Sequence, residues 1–230
     1  MTSDVVPPAP REPWLTIPIA LVMAMVALIL VLHGLTYFLT QDEWRQLHFD
    51  FALVPKRFFA PPEAEIAYPD IFSKLLSLVS TALLHGDWIH VGLNALMLWQ
   101  FGSVVARVLG PGFAGAGKWM LLFVVSVAAG SIAYLLLHEL PEPAVGASGG
   151  VCGLVAADFL IGRDGRMRSP LSREFLMLTL YFTLINLLLV FVIPLVLPFY
   201  VAWEAHLGGY VAGAAMMLIL GPKARTGETA

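Results

Sequence analysis

Charge is scarce in this chain. Only 13% of its 230 residues are charged while 59% are hydrophobic, and the mean hydropathy is +0.82. A soluble domain carries about a quarter charged residues. So much apolar surface cannot be hidden inside one water-soluble fold of this size, so the solvent for most of the chain is lipid. Basic residues are few and scattered and the net charge is −3, which leaves no footprint for nucleic acid. A single cysteine, Cys152, excludes an internal disulfide and a cysteine-based metal cluster. No basic neighbour activates its thiol, so it reads as a small buried residue. The zinc-protease pattern HExxH is missing. HELPE at His138 lacks the second histidine and Pro141 interrupts it, while His85 and His90, five apart, share no helix face. Residues 1–14 are proline-rich with one arginine, and have neither the basic region of a signal peptide nor an Arg-rich presequence. They read as a disordered cytoplasmic tail, matched by a second tail over 222–230.

What is abundant is long apolar runs. A spanning helix needs about 20 apolar residues. Six segments are expected to span, together forming a domain over 15–221. They run from about Leu15 to Leu39, His90 to Ala106, Trp119 to Leu137, Ser148 to Gly162, Phe175 to Leu197 and Ala205 to Leu220. The fourth covers only about 22 Å at 1.5 Å per residue. A short helix with polar first residues starts inside the membrane, facing protein or water. The fold class expected is an all-α membrane bundle of six transmembrane helices, with a short central fourth helix and a long membrane-associated first loop over 40–84.

Lys and Arg orient the bundle. Arg107, Lys118, Arg163, Arg166, Arg168 and Arg173 lie in the loops after spans two and four, and Arg11, Lys223 and Arg225 in the tails. The loops around Leu140 and Phe199 have none. Both termini are therefore expected on the cytoplasmic side of a cell inner membrane, with the starts of spans four and six facing outward. Arg45, Lys56, Arg57 and Lys74 in the first loop run against this pattern. That loop is long, however, and carries six acids between Asp42 and Asp70. Its aromatics (Trp44, Phe49, Phe51, Phe58, Phe59) place it in the membrane interface.

Polar groups inside spans are costly and mark function or helix contact. Three clusters fall at the outward end. In HGDWIHVGLN, His90 and Asn94 are four apart and share one helix face. In GASGG, Ser148 opens span four. In AHLGGYVAG, His206 stands near the start of span six. Together they suit hydrolysis: Ser148 as nucleophile, His206 as general base, and His90, Asn94 and the Ser148 backbone N–H around the oxyanion. Gly149 and Gly153, and Gly209 and Gly213, recur every four residues and predict close contact between spans four and six. Gly146 keeps the entry to span four narrow. Glu204 is two residues from His206 and points to another face, so a dyad is expected, with Glu204 at the interface. His85 reads as a loop anchor. Gln100, Ser126, Ser131 and Asn186 read as interhelical hydrogen-bond partners, and Asp158 as a partner of an arginine in the following loop.

HxxxN (His90, Asn94), GxSG (Gly146 to Gly149) and AHxxGxxxG (Ala205, His206, Gly209, Gly213), in this order, resemble the rhomboid intramembrane serine proteases. The resemblance covers roughly Leu15 to Leu220. It implies a Ser148–His206 dyad with His90 and Asn94 at the oxyanion, a water-filled cavity open to the outer face, and transmembrane helices of other proteins as substrates. It calls for no cofactor and no metal. The chain departs from the family pattern at Cys152, where an aromatic often packs on the histidine, a place that Tyr210 could fill. It departs again at Ala106, where a glutamate is common, and before span two, where Trp44-Arg45 lies earlier than the usual Trp-Arg pair. Two rivals predict other patterns. A non-catalytic rhomboid-like scaffold that binds transmembrane helices would usually lack the serine or the histidine. A small transporter would show repeats relating the halves of the chain, and none is visible.

Overall fold

The structure, a computed structural model, describes residues 16–138, 142–196 and 201–222. The tail over 1–14, residues 223–230, Glu139, Leu140 and Phe199 lie outside the described residues. Among the described residues all regular structure is helical. Strand-like pairing is limited to two isolated antiparallel contacts, Leu53 with Ala144 and Ile161 with Met167.

Helix α1 (Ile17–Leu35) carries Pro18 in its first turn, where a missing N–H leaves no bond unmade. The first loop holds three helices: α2 (Gln41–Phe51), α3 (Pro55–Phe58) and α4 (Ile71–Ser80). A capping box opens α2: Glu43 N donates to Thr40 Oγ1 at 3.3 Å and Thr40 N to Glu43 Oε2 at 2.8 Å. The Thr40 N–H and hydroxyl, each donating to Glu43 Oε2 at 2.8 Å, hold the Glu43 carboxyl below the usual carboxylate range. The loop folds around Arg57, which is only 4% exposed. Its guanidinium donates to the carbonyls of Phe49, Ile66 and Ala67 and lies against the rings of Phe49 and Tyr68. Tyr68 Oη completes the knot by donating to Ala52 O at 2.7 Å. One of the loop's four contrary basic residues is thus internal, and Lys74 leans on the Phe58 ring. Trp44 and Arg45 take local partners instead, His48 and Asp42.

The bundle continues with α5 (Trp88–Val108), α6 (Gly112–Leu137), α7 (Ser148–Phe159), α8 (Arg173–Val196) and α9 (Trp203–Leu220). Among the described residues four helices are long and apolar enough to cross a membrane: α1 with its following turn, α5, α6 and α8. Helix α7 is the centre. Residues 149–157 are all buried, and the helix packs on α5, α6 and α9. A helix apolar on every side belongs inside a bundle. Trp119 ties α6 to α5, its indole N–H donating to Gly102 O at 3.0 Å, and Ala106 is fully buried in the same core.

Two helix ends differ from the periodicity. Helix α7 stops at Phe159 rather than Gly162. The Leu160 N–H bonds back to Ala156 O and Ala157 O, and a turn then reverses the chain through Gly165 at φ +73°. Arg168 caps this end, donating to Phe159 O at 3.1 Å. Helix α6 starts at Gly112, seven residues ahead of Trp119. Its first turns, GFAGAGK, have poor intrinsic helix propensity. Tertiary contact overrides that: Gly115 and Ala116 are buried, α6 packs on α1, and a Cβ on Gly115 would lie 3.3 Å from Pro18 of α1.

Helices α7 and α9 meet backbone to backbone. A Cβ on Gly209 would overlap Gly149, and one on Gly213 would overlap Gly153. Gly117, by contrast, has open space where a Cβ would go. Gly213→Ala therefore forces the helices apart and destabilises the protein by about 1–3 kcal/mol. Gly117→Ala is neutral or stabilising by up to about 1 kcal/mol through helix propensity. Unfolding midpoints in detergent check both; equal midpoints for the two variants would contradict the close contact.

Candidate active site

The site is built at the end of the bundle where α5, α7 and α9 begin. The segment that leads into α7 is tied down from several sides. Leu53 and Ala144 exchange backbone hydrogen bonds at 3.2 and 2.8 Å. Gly146 N donates to Thr81 O at 2.9 Å, Thr81 Oγ1 donates to Ala144 O, and Tyr134 Oη donates to Glu142 O at 2.9 Å. Gly146 sits at φ +118°, and a Cβ there would lie 2.6 Å from His90 Nε2. Glycine is required at this position by both conformation and space. Ala147 N donates to His85 Nε2 at 3.4 Å. His85, 2% exposed, is thus the anchor of the serine loop. Burial, reinforced by the neighbouring His90 and His33, pushes its pKa down to about 3, so Nε2 stays an acceptor.

Ser148 is the first residue of α7, and no side chain caps that end. The first-turn amides of a helix have no intrahelical acceptor, which makes this end receptive to negative charge. On α5, Asp87 caps the helix by accepting from His90 N at 2.9 Å. Asn94 is buried and gives one amide hydrogen to His90 O at 3.0 Å, keeping the other. Helix α9 comes in beside α7: a Cβ on Gly149 would lie 3.4 Å from Ala205 O, and one on Gly130 of α6 would lie 2.6 Å from it. Ser148, Gly146, Ser131, Thr81 and Ala205 line one small cavity of about 20 Å³, room for about one water molecule. Among the described residues, neither the Ser148 hydroxyl nor His206 Nε2 makes a hydrogen bond.

Three partnerships escape a reading of the sequence. His206 Nδ1 meets Asn186 Oδ1 of α8 at 2.7 Å. Tyr210, one turn further along α9, is held by α8 as well: it stacks on Phe182 at 4.3 Å and shares a 2.7 Å hydrogen bond with Thr179. Glu204 is not an interface residue. It is 2% exposed and pairs with His138 Nδ1 at 2.9 Å, while His138 Nε2 lies 3.5 Å from Glu142. Spacing alone could show that Glu204 and His206 point apart, but not that a histidine 66 residues away receives the carboxylate. Cys152 is buried in the core.

A bundle sheathed in apolar helices, with an inner polar end of serine, histidine and asparagine, defines a helical multi-pass membrane protein with a candidate reaction centre. The chain belongs to the rhomboid family: the Rhomboid domain model matches residues 73–223. It is 29% identical over 151 residues to the rhomboid protease GluP of Bacillus subtilis, covering 64% of this chain and 26% of that one. It is 32% identical over 91 residues to mitochondrial Rhomboid protein 1 of Saccharomyces cerevisiae, covering 37% and 25%. The chain thus spans about a quarter of the length of each of these relatives.

His85 generates a pH signature. A histidine depressed to about 3 in the fold, against about 6.5 unfolded, gives stability that is complete above pH 6.5 and lost as pH falls toward 3. The loss approaches about 1.4 kcal/mol per pH unit. In His85→Phe that part of the slope disappears, and the unpaired Ala147 N–H costs about 1–3 kcal/mol at neutral pH. Unfolding midpoints between pH 7 and 5 check it; an unchanged slope would contradict the anchor role.

Proposed function

We propose that this protein is an intramembrane serine endopeptidase that cuts the transmembrane helices of other proteins near the outer face of the membrane. In this reading α1, α5, α6, α7, α8 and α9 are the six spans, the first loop rests in the outer interface, and both termini are cytoplasmic. The observation that carries it is the backbone contact of α7 with α9. That contact puts the turn bearing Ser148 beside the turn bearing Ala205 and His206, with the His90 ring against the glycine two residues ahead of the serine.

The chemistry follows from the residue types. Ser148 Oγ attacks the scissile carbonyl and passes its proton to His206 Nε2. The tetrahedral oxyanion is met by the Ser148 backbone N–H at the uncapped end of α7, with His90 and Asn94 as side-chain donors. Collapse breaks the C–N bond, and His206 gives its proton to the leaving amine. His206 then takes a proton from water, which attacks the acyl-serine ester; the C–Oγ bond breaks, the new C-terminal carboxyl leaves, and His206 returns the proton to Ser148 Oγ. Gly146, Gly149, Gly153, Gly209 and Gly213 act by allowing the approach of the backbones. No carboxylate takes part, since Glu204 is committed to His138. No cofactor enters the scheme.

Cleavage of a model transmembrane substrate with a helix-weakening residue, in proteoliposomes, tests the reading. Ser148→Ala and His206→Ala each lose at least about 10³-fold in kcat while remaining folded. Wild-type cleavage by the Ser148→Ala variant would overturn it.

A further inference from the structure

We propose that Asn186, on α8, is a positioning residue for His206: it fixes the ring nitrogen that carries the proton and so presents Nε2 to Ser148. This rests on the Ser148–His206 reading of the site. The argument begins with the orientation of the amide. Asn186 Nδ2 donates to Phe182 O, one turn back on its own helix, at 2.9 Å. That bond leaves Oδ1 directed at α9, where it stands 2.7 Å from His206 Nδ1. An amide oxygen only accepts, so Nδ1 must supply the hydrogen. A neutral imidazole protonated at Nδ1 has its lone pair on Nε2, the form that a base toward a serine hydroxyl requires.

The contact belongs to a built seam. Thr179, Phe182 and Asn186 lie on one face of α8 at spacings of three and four, and they meet Tyr210 and His206, one turn apart on α9. The rest of α8 turns large apolar side chains outward, Leu180, Leu184, Leu188 and Phe191 among them. A polar amide on such a helix is costly unless it has a specific partner. The carboxylate nearest in sequence, Glu204, is occupied by His138. A neutral amide thus takes the place that a triad gives to an acid. It orients the ring without adding a charge.

Two variants and two readouts test it. Asn186→Leu keeps the side-chain size and removes the acceptor; Asn186→Asp keeps an acceptor oxygen at the same place. Asn186→Leu lowers kcat by tenfold or more with KM within about twofold of wild type, and Asn186→Asp recovers at least half of the lost rate on a logarithmic scale. Nitrogen-15 NMR of histidine-labelled protein at about pH 8, where imidazoles are neutral, reports the tautomer directly. His206, identified by the signal missing in His206→Ala, shows Nδ1–H in wild type and a mixed or Nε2–H pattern in Asn186→Leu. Wild-type kcat in Asn186→Leu, or an unaltered Nδ1–H pattern without Asn186, overturns the proposal. The NMR arm needs no turnover. Failure of the serine–histidine reading would appear in Ser148→Ala activity, and failure of the positioning role in the tautomer.

Discussion

Everything at the polar end of the bundle depends on how closely α7 and α9 approach. Their contact is backbone against backbone, with glycines facing glycines at 149 and 209 and again at 153 and 213. In lipid no hydrophobic force pulls two apolar helices together, so such contact draws on van der Waals packing that only small residues permit. The two contacts step in the same direction along both helices, so α7 and α9 run parallel, with the first turn of α7 level with the second turn of α9. Because α7 is short and buried on every side, its first turn opens within the bundle rather than at its surface.

Around that seam, polar groups that would be costly in lipid find partners on other elements. His85 takes the amide of Ala147, His138 takes Glu204, and Asn186 meets His206. Each pair joins segments far apart in the chain, so each also locates a helix end. Ala147 is fixed from α5's side, the start of α9 from the end of α6, and His206 from α8. The surrounding shell, folded about Arg57 in the first loop and Trp119 in the core, holds the elements that carry these groups.

Much of this was legible because it is periodic or local. Apolar runs show helices, and glycines four apart show a close face. Gly146 before a serine suggests a constrained entry, and the positive φ there agrees with that. Other features depend on contacts that no pattern encodes. The glycine-rich start of α6 is helical because α6 packs tightly there, against its own propensity. Residues 160–162 leave the helix because a glycine turn folds back under α7. Arg57 reads as a contrary charge in the sequence and is instead the internal tie of the first loop. Asn186 reads as one more interhelical polar group; only the direction of its amide singles out His206 as the partner. The spacing of Glu204 and His206 sets them on different faces of one helix, but the burial of Glu204 against His138 is set by tertiary structure alone.

The central claim is that Ser148 and His206 form one reaction centre, with His90 and Asn94 facing the developing negative charge. Its most direct test is an experimental structure of the protein after reaction with a fluorophosphonate. Such a reagent forms a P–O bond to an activated serine with loss of fluoride and leaves a tetrahedral, oxygen-bearing mimic of the intermediate. The account predicts a covalent bond to Ser148 Oγ, His206 Nε2 within hydrogen-bond reach, and the phosphoryl oxygen directed to the start of α7, His90 and Asn94. An adduct on another residue, or an unmodified Ser148 in protein whose substrate cleavage the reagent has blocked, would contradict it.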